Sequence, residues 1–425
     1  MGSAYDAMWE RLNLDLDAHA ALLEVLGKFY GDIYLSQQCR LKGMEYLDFV
    51  ISEIHGLRIK ELQEAKSQGR KVVGTFCVFV PEEIIWAANG IAVGLCAGAE
   101  VGRDKAEEIL PRNLCSLIKS FVGFKLARLC PFFESCDLVV GETTCDGKKK
   151  TYEIFGDYVP MYVMEIPQMK QEADRELLRK EILRFKEKIE SFTGNAITFE
   201  ALKKAVKMLN DRRRVLQRLN KIRRNHPVPI SGRDALLINQ ISFYDDPERF
   251  TQQISKLCDE LEERVRQGNG AVPESAVRVM ISGCPMAIPN WKLPYVIESS
   301  GAVVVFEESC IGSRNTRDLV DESAETMDDL IDALVDRYSR IDCACFTPNE
   351  ERIANIISAA KEWNVRGVIH YHLNFCQPYE IESFRVEKAL AREGIPFISI
   401  GTDYSMEDVE QLKTRVQAFI EMISA

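Results

Sequence analysis

Residues 71–98 read KVVGTFCVFVPEEIIWAANGIAVGLCAG, and this stretch decides the fold. KVVGTFCVFV (71–80) is rich in β-branched and aromatic residues and predicts a buried strand. In PEEIIWAANG, Pro81 suits a first helical turn, and Glu82 and Glu83 face the positive end of the helix dipole. IAVGLCAG (91–98) predicts a second strand. Strand, helix, strand is the repeating unit of a parallel α/β sheet. DLVVGE (137–142) predicts a third strand.

Upstream, residues 15–68 read as helical. Downstream, about 168–224 changes character. QMKQEADRELLRKEILRFKEKIESF puts Leu178, Ile182, Phe185 and Ile189 on one helical face. Thr198 is placed to cap a following helix carrying Leu202, Val206, Leu209 and Leu216. The basic run from Arg212-Arg213-Arg214 to Arg224 reads first as a solvated helix face, with a docking or anion-binding surface as the alternative. A second α/β unit starts near 275. Its expected strands are VRVMIS, AVVVFE, the region around IDCACF, RGVIHY and PFISIG. The two units could be distant copies of one architecture.

The expected fold is therefore α/β, with two Rossmann-like parallel-sheet domains. An N-terminal helical segment spans 1–70, the first α/β domain 71–167, a helical connecting region 168–274 and the second α/β domain 275–425.

Composition narrows the function. At 425 residues the chain exceeds one typical core. A net charge of −11 argues against general binding to nucleic acid or acidic membrane. No apolar run approaches the roughly 20 residues of a membrane span. The start, MGSAYDAMWERLNLD, has no basic end followed by an apolar run, so no signal peptide is expected. Thirteen cysteines without an export signal point to reduced thiols and a cytoplasmic location. No CxxC pair is present, so folding must gather the thiols. Neither GxxxxGK(S/T) nor a GxGxxG after a strand is present, so nothing marks a nucleotide site.

The cysteines recur just past strand ends. Cys77 follows KVVGTF, Cys145 follows DLVVGETT, Cys284 follows VRVMISG, Cys310 follows AVVVFEES and Cys376 follows GVIHYHLNF. In open α/β sheets the carboxyl ends of strands form the ligand crevice. Cys115, in LPRNLCSLIK, sits at or near a helix start, where the dipole stabilises thiolates and anionic clusters. Any one of these could be a core residue, since free cysteine is among the most buried types. Several at equivalent crevice positions suggest a metal cluster.

The segments CVFVPEEIIWAANGIAVGLCAGAE, LPRNLCSLIKSFVGFKL, CPFFESCDLVVGETTCDGKKKTYEIF, ISGCP, EESCIGSR and HYHLNFCQPYEIESF resemble the 2-hydroxyacyl-CoA dehydratase/benzoyl-CoA reductase superfamily. They look most like its double-cubane cluster branch. The likeness covers roughly 70 to 425. It implies an 8Fe-9S cofactor, two 4Fe-4S cubanes joined by sulfide, held between the α/β domains by six cysteines. By this resemblance Cys77, Cys115 and Cys376 hold one cubane. Cys145, Cys284 and Cys310 are the choice for the other, with Cys343, Cys130 and Cys96 as rivals. Cys39, Cys136, Cys258 and Cys345 read as structural or incidental.

The resemblance further implies low-potential reduction of a small molecule. Electrons would come from an ATP-hydrolysing iron-sulfur activator, and the chain would act as a homodimer. His370, His372, Glu82 and Glu83 are candidates for moving protons, or else satisfied histidines and helix-capping acids. Lys148–Lys150 could offset cluster charge, contact the partner or face solvent. Arg314 and Arg317 could bind an anionic substrate or pair with Glu307 and Glu308. Two other readings stay open: a 2-hydroxyacyl-CoA dehydratase subunit with one 4Fe-4S cluster, and a non-catalytic metal-binding protein.

Overall fold

In a computed structural model, which describes residues 3–95 and 97–424, the chain forms two four-stranded sheets, all parallel and wrapped by helices. The first holds β1 (Val72–Thr75), β2 (Ile91–Gly94), β3 (Leu138–Glu142) and β4 (Met161–Met164) in the order β2-β1-β3-β4. The second holds β5 (Val277–Gly283), β6 (Ala302–Glu308), β7 (Gly367–Leu373) and β8 (Phe397–Thr402) in the order β6-β5-β7-β8. Both orders are second-first-third-fourth in chain sequence. Each sheet thus reverses direction beside its first strand, between β1 and β3 and between β5 and β7. Ligands of open α/β sheets bind at such switch points. The shared order fits the expected pair of similar units.

The strands form where the sequence offers short runs of Val, Ile and Ala, and β1, β2, β3 and β6 are buried along their whole length, as parallel strands covered on both faces must be. Three expectations need correction. KVVGTFCVFV is a strand only to Thr75 and IAVGLCAG only to Gly94; past β1, Phe76, Cys77 and Val78 line the crevice. The region around IDCACF is no strand. It is a turn between the helices Met327–Ser339 and Glu350–Glu362, where the Phe346 N–H donates to the Cys343 carbonyl and the Thr347 N–H to that of Gln168. The short MYVM run after Pro160 forms β4, a strand that was not expected.

The helical expectations fare better. Helices Leu16–Tyr30, Met44–Ser52 and Leu57–Ser67 precede β1. Helices Glu172–Thr193 and Phe199–Ile222 form the long pair, and Thr198 Oγ1 caps the second by accepting from the Ala201 N–H. Leu178, Ile182, Phe185 and Ile189 are all buried.

The basic run is the fourth correction. Arg212 and Arg213 face inward and are buried. Arg212 pairs with Glu82 at 2.9 Å and Arg213 with Glu83 at 2.7 Å. Arg223, fully buried, clamps Glu307 on β6 at 2.6 Å. These arginines tie the long helix to the helix Glu82–Ala87 of the first unit and to β6 of the second. Direct backbone bonds also join the units: the Gly98 N–H donates to the Ile288 carbonyl at 2.8 Å. Among the described residues no helix is long and apolar enough to cross a membrane.

Candidate metal centre

The carboxyl ends of β1, β2 and β3 face those of β5, β6 and β7 across one cavity of ≈ 600 Å³. Among the described residues eight cysteines line it: Cys77, Cys115, Cys145, Cys284, Cys310, Cys343, Cys345 and Cys376. All are free thiols. The six picked from sequence are thus brought to one place. Cys343 and Cys345 join them, carried in by the IDCACF turn. Cys130, Cys136, Cys39 and Cys258 do not line the cavity; Cys258 is buried among helices and Cys39 is exposed. Cys96 lies outside the described residues.

Local structure explains how each thiol is delivered. Cys77 and Cys310 follow β1 and β6 within a few residues. Cys284 follows β5 directly, after Gly283 at φ +121°. Cys115, Cys145 and Cys376 are the residues just before the helices Ser116–Leu126, Asp146–Phe155 and Gln377–Arg392. Free N–H groups and the dipole at such positions favour a thiolate or an anionic cluster. At Cys145 the contact is direct, with the Lys148 N–H 3.4 Å from its Sγ. Phe375 holds a left-handed φ of +67° and so turns the chain sharply into Cys376.

The thiols meet one another in three sets. Cys115 and Cys376 are hydrogen-bonded, and Cys376 also meets Cys284. Cys77 is hydrogen-bonded to Cys310, and Cys343 to Cys345. In the pairs Cys77–Cys310 and Cys343–Cys345 one thiol is pushed up and the other down. The bond from Cys77 lowers the Cys310 pKa, helped by Arg314, while Cys77 is held up by Cys310 and by burial. The Cys345 thiol, with Arg314 close by, pulls Cys343 down to about 6. Burial raises Cys145. So many thiols in one dry place would repel as thiolates unless cations sat among them. Among the described residues no three His, Cys, Asp or Glu groups converge on a single ion position. The donors are instead spread around the cavity wall.

Charged residues ring the thiols. Glu142, fully buried at the end of β3, accepts from Lys148 Nζ, from Thr144 Oγ1 at 3.0 Å and from Tyr152 at 3.4 Å. Lys148 lines the cavity; Lys149 pairs with Asp146 at its edge, and Lys150 pairs with Glu153 in solvent. Arg314 is buried against Glu308, and Arg317 pairs with Asp342 and Asp318.

The residues considered for proton transfer stand elsewhere. His370, His372, Glu82 and Glu83 do not line the cavity. His370 is buried, bonded through Nε2 to the Tyr379 carbonyl at 3.0 Å, and burial drives its pKa down to about 3. It lies inside β7, short of the strand end, with Ser282 Oγ 3.5 Å from its Nδ1. Glu82 and Glu83 are held by the two buried arginines.

Two doubly wound sheets sharing one thiol-lined crevice define a class of α/β protein with a candidate metal-cluster site. The family model for the 2-hydroxyglutaryl-CoA dehydratase D-component matches residues 77–423, and the chain belongs to that family. It is 38% identical to YjiM of Escherichia coli (strain K12), named as a putative dehydratase subunit, over 85% of this chain and 94% of that one. It is 25% identical to the (R)-phenyllactyl-CoA dehydratase beta subunit of Clostridium sporogenes over 85% and 94%. A benzoyl-CoA reductase chain of Thauera aromatica is 22% identical over 83% and 91%.

Proposed function

We propose that this chain is an iron-sulfur reductase component that holds a double-cubane 8Fe-9S cluster in the thiol-lined cavity. It takes low-potential electrons from an ATP-hydrolysing iron-sulfur activator and reduces a small substrate. The observation that carries this reading is the number of thiols. Three cysteines suffice for the single cubane of a dehydratase subunit in this superfamily, and among the described residues eight line one cavity here. When bound, the cluster would supply electrons at low potential.

The chain's own residues do the rest. Cys77, Cys115 and Cys376 are proposed to hold one cubane, and Cys145, Cys284 and Cys310 the other. The contact groups make Cys343 and Cys345 the rivals closest to hand, beside Cys310 and Cys77. Helix starts at Cys115, Cys145 and Cys376, with Lys148 and Arg314, oppose the negative charge that thiolates bring. Phe243, Ile288, Leu117 and Ile311 close the cavity wall and limit water, which strengthens each electrostatic contact inside. The free thiols favour a reducing, cytoplasmic setting. By the same resemblance the working unit is a homodimer.

The relatives' names favour one second reading, a 2-hydroxyacyl-CoA dehydratase subunit with a single 4Fe-4S cluster and a non-identical partner. Anaerobic purification with iron and sulfide counting separates the two, because a double cubane carries twice the iron of a single one. Mixing with the activator, ATP and a low-potential reductant tests function. ATP-dependent electron uptake is expected; none under strict anaerobiosis would sink the reductase reading.

A further inference from the structure

Arg314 is fully buried and reaches the cavity wall through Cys310. Every one of its nitrogens is engaged. Nε and Nη2 grip Glu308 at 2.8 and 2.7 Å, and Nη2 also meets the Gly283 and Glu308 carbonyls at 3.1 and 3.2 Å. Nη1 is divided between the Tyr379 hydroxyl oxygen and Cys310 Sγ, the latter at 3.3 Å. The same hydroxyl lies 3.5 Å from Cys343 Sγ, and toward a thiolate or a metal-bound sulfur there it is the donor.

This is a rigid, preset arrangement. Glu308 ends β6 and is pinned from the far side by Arg352 at 2.9 Å and Ser282 Oγ at 2.8 Å. The Tyr379 ring sits between the two guanidiniums, 5.2 Å from that of Arg314 and 5.1 Å from that of Arg352. Asp342, 3.8 Å from Arg314, is committed to Arg317 at 2.5 Å. A buried guanidinium needs one carboxylate for its charge, and Glu308 provides it. The N–H that reaches a cavity sulfur is not needed for that pairing.

We propose that Arg314 and Tyr379 are positioning residues: Arg314 donates to the ligand Cys310 and so sets the reduction potential of the cluster, and Tyr379, held by the same guanidinium, aims Cys343 into the cavity as a further sulfur donor beyond the six. The inference rests on the cluster reading above and deepens it. Donors to a ligating sulfur withdraw electron density from the metal and make the reduced state easier to reach. It also gives Cys343 a preformed orientation, where the sequence alone leaves it a rival.

The test uses the full chain, reconstituted anaerobically with iron and sulfide, in the variants Tyr379→Phe and Arg314→Gln. Tyr379→Phe removes one oxygen and leaves the ring and Glu308 in place, so it carries the test if Arg314→Gln folds poorly. Readouts are iron per chain and the midpoint potential from a titration followed by electron paramagnetic resonance. The expected result is a more negative midpoint in both variants, larger for Arg314→Gln. A folded Tyr379→Phe protein that loses iron also supports the positioning role. Full iron content with an unchanged midpoint in both overturns this inference and leaves the cluster reading standing. A parent protein that takes up no iron overturns both.

Discussion

Gly283 is the residue on which the crevice closes, and Gly283→Ala tests that directly. It occupies φ +121°, a region that side chains rarely adopt, and an added methyl would land inside van der Waals contact of the Tyr371 carbonyl oxygen on β7. The obstacle is backbone, paired with Gly283 at the end of the β5–β7 ladder, so it cannot swing aside as a side chain would. Forcing the φ costs roughly 1–3 kcal/mol. Overpacking adds roughly 1–3 kcal/mol. The hydrogen bond from the Cys284 N–H to the same carbonyl, 2.9 Å long, would lengthen or break, at about 1 kcal/mol. The total is about 3–7 kcal/mol, and Cys284 moves away from Cys376. Urea unfolding of the metal-free protein measures the first effect, and iron per chain after anaerobic reconstitution measures the second. Parent-like stability, within about 0.5 kcal/mol, would refute the reasoning.

Two further outcomes follow from the buried charges. Lys148→Met strands the fully buried Glu142 and should cost about 3 kcal/mol in urea unfolding; the double variant with Glu142→Leu should recover most of it, and no recovery would mean the pair is not the source of the loss. His370 is held neutral, with its folded pKa near 3 against about 6.5 unfolded. Its contribution to stability is therefore complete above about pH 6.5 and is lost by about 1.4 kcal/mol per unit as pH falls toward 3. His370→Asn should flatten stability against pH in that window, and an unchanged slope contradicts the assignment.

Much of the site was legible because its chemistry sits where the fold puts any ligand. Cys77, Cys145, Cys284, Cys310 and Cys376 follow predicted strands, and the switch-point rule carries them to one crevice. Cys115 was legible from helix-start chemistry. What sequence spacing cannot supply is which loops meet. Cys343 and Cys345 reach the cavity on a turn whose apolar run imitates a strand, and the structure groups Cys284 with Cys115 and Cys376, across the two proposed trios. The CxC spacing in IDCACF was the available signal. Arg212 and Arg213 misled for a related reason: charge reads as solvent-facing until Glu82 and Glu83, 130 residues away in sequence, are seen opposite them. His370 is near Cys376 along the chain, but it sits within β7 short of the strand end and does not line the cavity.

The central claim is that this cavity holds a double cubane. Iron and acid-labile sulfide counted per chain after strictly anaerobic preparation test it most directly, with Cys284→Ser and Cys343→Ser beside the parent. The expected result is an iron content near that of two cubanes in the parent and a marked loss in Cys284→Ser. Iron matching one cubane, undisturbed by Cys284→Ser, would contradict it.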